Sequence, residues 1–174
     1  ANAYSTAVGG YSLAVTNSTA TGYYSTAAFD STATGNNSTA LFDSTANGSG
    51  AQAFYSSTAT GSGSYAYSAS SAVGNNSFAL YSSNAVGYSS TAALGSNAIG
   101  NYSTAVFGSN AVGNYSSATG TYSVAMGNGS TADSAYSTAV GAYSSATNTS
   151  ATALGAYSVA SGVNSTASGA NAQA

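Results

Sequence analysis

The small apolar residues of this chain recur at fixed intervals. Alanine stands at positions 1, 7, 14, 20, 27, 33, 40 and onward to 118, with intervals alternating between six and seven residues; from 118 to 174 it recurs every seventh residue. Between the alanines, residue character alternates with period two. In Tyr4-Ser-Thr-Ala-Val-Gly9 and Tyr136-Ser-Thr-Ala-Val-Gly141, Ser and Ala share one face of an extended segment, and Thr and Val share the other. Gly follows the alanine by two residues at Gly22, Gly35, Gly74, Gly87, Gly100, Gly113 and Gly127, where a turn needs permissive backbone angles. The pattern predicts coils of two short strands and two turns: nine coils of 13 residues over 1–118, then four of 14 residues over 119–174, in one continuous solenoid domain.

A seven-residue interval also suggests a heptad, but three features oppose a coiled coil. The fixed residue is Ala rather than a bulky one. Gly recurs inside nearly every unit, at a cost of about 1 kcal/mol each in a helix. The six–seven alternation breaks the heptad phase. Ser, Thr, Tyr and Val favour pleated surfaces instead. The fold class expected is therefore all-β: a parallel β-solenoid or β-roll whose small Ser/Ala pair points between two sheets, with Thr, Val, Leu, Asn and Tyr in outer columns. Coils stacked at about 4.8 Å give a rod roughly 60 Å long. So thin a roll buries little apolar volume. Ladder hydrogen bonds, stacks of like side chains and burial against partners must supply the stability.

Composition narrows the function. The chain has no Lys, Arg, His, Cys, Pro or Trp, and its three acidic residues are Asp30, Asp43 and Asp133. Without basic residues it lacks the usual means of binding nucleic acid or anionic membrane surfaces, and no apolar run approaches the ~20 residues of a membrane span. No base is available to activate the many serines, so no catalytic residue, cofactor or metal ligand set is expected. No signal-peptide pattern opens the chain, as in a mature protein or an excised piece. Absence of Cys fits, without proving, an extracellular protein stabilised by other means. High aromatic and β-branched content argues against disorder.

Three surface features remain. Phe29, Phe42, Tyr55, Tyr81, Leu94 and Phe107 each lie two residues after a register alanine, with Phe54 among their neighbours; the equivalent positions after Ala118 are Gly120, Ser134, Asn148 and Gly162. This seam either closes the roll's own edge or forms an interface between protomers. Thr19, Thr21, Thr32, Thr34, Thr58 and Thr60 form a flat uncharged array of the kind that binds ice in β-solenoid antifreeze proteins; the plain alternative is β-propensity with Thr ladder bonding. Tyr4, Tyr11, Tyr102, Tyr115, Tyr122, Tyr136, Tyr143 and Tyr157 stand three before a register alanine and could stack as a sticky surface or shield turns. Asp30 and Asp43, one coil apart, read as solvated turn residues.

The repeated Tyr/Asn-Ser-x-Ala-x-Gly word, as in Tyr122-Ser-Val-Ala-Met-Gly127, Tyr136-Ser-Thr-Ala-Val-Gly141 and Tyr157-Ser-Val-Ala-Ser-Gly162, resembles the head repeats of trimeric autotransporter adhesins of the YadA type. The resemblance implies a left-handed parallel β-roll, three chains side by side, anchored in a bacterial outer membrane through another part of the chain. It implies attachment to a host or abiotic surface. The 13-residue coils and the absence of Lys and Arg depart from that family's pattern. The other readings are the ice-binding solenoid and a subunit of an extracellular filament or phage fibre.

Overall fold

The structure, a computed structural model, describes residues 4–174, so register alanine Ala1 lies outside the described residues. It consists of strands of two or three residues joined by tight turns, with no helix among the described residues. Contacts divide it into two units, the first ending at Ala85 and the second beginning at Val86.

In the first unit, sheet A contains Thr6–Val8, Thr19–Thr21, Thr32–Thr34, Thr45–Asn47, Thr58–Thr60 and Ser71–Val73, paired in parallel. Sheet B contains Leu13–Val15, Thr26–Ala28, Thr39–Leu41, Gln52–Phe54, Tyr65–Tyr67 and Phe78–Leu80. In the second unit, sheet A contains Asn97–Ile99, Asn110–Val112, Val124–Met126, Thr138–Val140, Thr152–Leu154 and Thr166–Ser168. Its sheet B contains Thr91–Ala93, Thr104–Ala105, Ser117–Ala118, Thr131–Ala132, Ser145–Ala146 and Val159–Ala160. In all these pairings alanine sits opposite alanine. Each unit is thus a parallel β-solenoid with two strands per coil.

The pairing offset is 13 residues as far as Asn97↔Asn110 and Thr104↔Ser117 and becomes 14 at Asn110↔Val124 and Ser117↔Thr131. The added residue enters the turn from sheet B back to sheet A. In the shorter coils that turn has two successive left-handed residues, such as Phe29 (φ 59°) and Asp30 (φ 58°). In the longer ones it has one, Tyr122 (φ 55°), and the Ser123 N–H closes on the Gly120 carbonyl at 3.1 Å.

The interior holds nothing larger than Ser. Alanines from Ala14 to Ala160 on the register are fully buried, and twenty serines are buried beside them. A buried hydroxyl is costly unless bonded, and two bonding schemes meet that need. On the turn from sheet A to sheet B the hydroxyl donates back to a glycine carbonyl, as Ser25 to Gly22 at 3.0 Å and Ser64 to Gly61 at 2.8 Å. On the opposite turn of the first unit the hydroxyls form a ladder. The Ser44, Ser57 and Ser70 N–H groups donate to Ser31, Ser44 and Ser57 Oγ at 3.2–3.3 Å, and each of those Oγ atoms donates to its own turn's carbonyl. At the first widened turn, Ser123 Oγ is buried with no partner. The added residue thus breaks the hydroxyl ladder.

Candidate interaction surfaces

The side chains left to face outward are set by the turns and by the outer positions of each strand. The turn aromatics are the least expected. A left-handed backbone costs a residue with a Cβ about 1–2 kcal/mol, yet Phe29, Phe42, Tyr55, Tyr81, Leu94 and Phe107 all adopt φ between 53° and 61°. The ladder holds them there: the Phe42 N–H donates to the Ala28 carbonyl at 3.1 Å and the Asp43 N–H to the Phe29 carbonyl at 2.9 Å. Stacking returns ~0.5–1.5 kcal/mol per pair. Phe29 and Phe42 lie 4.9 Å apart with rings 1° from parallel, and Phe42 and Tyr55 lie 4.9 Å apart at 2°. The fold does not require these rings. Thr16 and Ser68 occupy the same turn position with the same sign of φ. Aromatics held half-exposed at sites where Thr or Ser suffices mark a surface feature rather than a core requirement.

In the first unit this column merges with sheet B. Tyr67 meets Tyr55 and Tyr81 edge-on, and Phe54 pairs in register with Leu41 and Tyr67 and touches Tyr65. The structure therefore brings Phe29, Phe42, Phe54, Tyr55 and Tyr81 onto one apolar face. In the second unit Leu94 and Phe107 occupy consecutive coils, the Gly108 N–H donating to the Leu94 carbonyl at 2.9 Å, and both side chains are exposed.

Sheet A of the first unit is the polar face. Thr19 and Thr21 pair with Thr32 and Thr34, all four exposed. Thr58 and Thr60 are separated from them by Thr45–Asn47, and the next strand carries Ser71 and Val73. The column Thr19, Thr32, Thr45, Thr58 is therefore unbroken, whereas Asn47 interrupts the column of Thr21, Thr34 and Thr60.

In the second unit the faces differ. Sheet A carries an aliphatic column, Ile99, Val112, Met126, Val140 and Leu154, paired coil to coil. Sequence reasoning centred on the turn aromatics passed over it. Its signal was available, because each member follows every second register alanine by one residue. Sheet B there is polar, with Thr91, Thr104, Ser117, Thr131 and Ser145 in line.

The tyrosines fall on two different turns. Tyr11–Tyr24, Tyr102–Tyr115 and Tyr143–Tyr157 stack on the turn from sheet A to sheet B, with centroids 4.9, 5.1 and 5.3 Å apart. Tyr122–Tyr136 lies on the opposite turn at 6.0 Å, and Tyr4 precedes the first strand of sheet A. Partial burial among its neighbours raises the Tyr102 phenol above the ordinary value, and the nearby Tyr88 and Tyr115 phenols add to the effect. A hydrogen bond with Tyr24 raises Tyr23, with partial burial contributing. Among the described residues no three His, Cys, Asp or Glu side chains come together. Asp133 accepts a hydrogen bond from Thr119 Oγ1 at 2.9 Å. No cavity opens among the described residues.

Residues 29–41, 118–144 and 146–172 match the family model described as YadA head domain repeat. No curated protein matches the chain. Among solved structures, the collagen-binding domain of the Yersinia adhesin YadA aligns at 25% identity over 89% of this chain and 67% of that one, with a TM-score of 0.42. The repeat match, rather than this loose superposition, carries the family reading. It favours an adhesin segment over the ice-binding and filament alternatives. Over the matched stretches the coils, with Ser and Ala inside and aromatics on their turns, are similar to YadA head domain repeats.

Proposed function

We propose that the chain acts as an adhesive head segment of a homotrimeric surface protein, displayed on a bacterial cell and binding a matrix protein or an abiotic surface. The observation that supports this most is the repeat match on coils whose outer surface carries no basic residue and only the three carboxylates of Asp30, Asp43 and Asp133, with no cavity among the described residues. Such a surface binds by area and repetition. Shallow contacts repeated from coil to coil, and multiplied over three copies, gain strength through effective concentration. On this reading Phe29, Phe42, Phe54, Tyr55, Tyr81, Leu94 and Phe107 face partner copies, and the exposed Thr19, Thr21, Thr32, Thr34 and Thr58, with the half-buried Thr60, face the ligand. Collagen is the first ligand to test, because the aligned Yersinia domain is a collagen-binding one.

Two measurements test the proposal. Sedimentation velocity should give three times the 16.6 kDa chain mass, and Phe42→Ser with Phe107→Ser should lower the oligomer. A trimer untouched by both changes would refute the seam. Immobilised collagen should retain the wild-type chain more than albumin does. Thermal hysteresis without binding to any matrix protein would favour the ice reading instead.

A further inference from the structure

We infer that the stacked tyrosines of the turn from sheet A to sheet B are sites of oxidative dityrosine formation, which would staple consecutive coils covalently. The chain has no Cys for disulfides and no Lys for amine cross-links, so the phenols are the side chains open to oxidative coupling. Tyr11–Tyr24, Tyr102–Tyr115 and Tyr143–Tyr157 are in-register neighbours whose rings lie 10°, 11° and 14° from parallel, all six exposed by roughly half or more. Their backbones are about 4.8 Å apart along the stack. Rotation about χ2 brings the two ring edges carrying the ortho carbons together.

The chemistry balances with a peroxide oxidant. Each phenol gives up one electron and one proton, the two radicals join by a carbon–carbon bond between Cε positions, and the two Cε hydrogens shift to the oxygens to restore both phenols. One hydrogen peroxide takes the two electrons and two protons and becomes two waters. The molecule contains its own negative control. Phe29 and Phe42 stack as closely, at 4.9 Å, but have no phenol and cannot couple. Tyr122–Tyr136, at 6.0 Å and 25°, should couple more slowly.

The test is treatment of the dilute intact protein with a haem peroxidase and hydrogen peroxide, followed by denaturation and cleavage before Asp30, Asp43 and Asp133. The fragments then separate the pairs: Tyr11–Tyr24 lies in the first, Tyr102–Tyr115 in 43–132 and Tyr143–Tyr157 in 133–174, whereas a Tyr122–Tyr136 bond would join the last two. The expected result is dityrosine fluorescence, with each of these fragments losing two hydrogens. Tyr115→Phe should abolish the Tyr102–Tyr115 product while keeping the stack and leaving the other two pairs coupled. Coupling equal to that of the urea-unfolded chain, cross-links only between chains, or fragments unmodified while Met126 is oxidised would each overturn the inference.

Discussion

Two glycines of one turn, Gly48 and Gly50, should respond very differently to alanine. Gly48 has φ 140°, and a Cβ there would lie 2.5 Å from the Gly61 carbonyl oxygen and 2.6 Å from its carbon. That backbone region costs a residue with a side chain about 1–3 kcal/mol. The carbonyl that must move accepts from the Ser64 N–H at 3.2 Å and the Ser64 hydroxyl at 2.8 Å. Weakening both adds about 1–2 kcal/mol, so Gly48→Ala should destabilise by roughly 2–5 kcal/mol. Gly50 has φ 67°, and the nearest atom to its Cβ is the Gly63 nitrogen at 4.0 Å. The same column accepts Asn37 and Tyr24 at φ 54° and 56°, so Gly50→Ala should cost only about 1 kcal/mol. Thermal melts followed by far-ultraviolet circular dichroism convert these to shifts of roughly 2–4 °C per kcal/mol. Equal shifts for the two variants, or a Gly48→Ala protein melting within a few degrees of wild type, would refute the close approach of successive coils.

Further outcomes follow from the same geometry. Ser57→Ala removes the acceptor for the Ser70 N–H and the donor to the Tyr55 carbonyl; it should cost about 1–3 kcal/mol by denaturant melt. Ser64→Ala should cost less, since Ala51 already occupies the equivalent place one coil earlier and the Gly61 carbonyl keeps the backbone donor. Ala59→Leu should destabilise by at least about 1–3 kcal/mol, because an interior of Ala and Ser has no room for three more carbons. The raised phenols of Tyr102 and Tyr23 make folding favour their neutral forms. That contribution is full below the ordinary phenol value of 10.0 and is lost as pH rises through the raised folded values. Phenolate absorbance should therefore titrate later in the folded than in the unfolded chain, and stability should fall above about pH 10.

The alanine beat made the coil legible because a thin roll leaves space for only one residue size at its axis, and that constraint repeats without interruption. Ala33, Ala46 and Ala59 are fully buried where the period requires it. The Ser–x–Ala face was equally readable from strand alternation. The turns were less so. Tyr102 and Tyr122 share the same sequence context, three residues before a register alanine, yet lie on opposite turns. Which turn a residue occupies depends on counting coils through the six–seven alternation, not on the local word. The two roles of buried Ser were hidden as well. Ser25 and Ser31 both precede a Thr-Ala pair, but one donates to a glycine carbonyl and the other accepts a hydrogen bond from the Ser44 N–H of the next coil. The aliphatic column from Ile99 to Leu154 was visible in principle and was obscured by the larger aromatics.

The central claim is that successive coils of the first unit lie flat on one another in register. Because the chain has no native cysteine, spin labels at Thr6→Cys and Thr58→Cys report it directly by double electron–electron resonance. These residues are joined by the pairings Thr6↔Thr19, Thr19↔Thr32, Thr32↔Thr45 and Thr45↔Thr58. Four coil steps at about 4.8 Å predict a narrow distribution near ~20 Å. A separation approaching the ~78 Å that a helix would give over the same residues, or a broad featureless distribution, would contradict it.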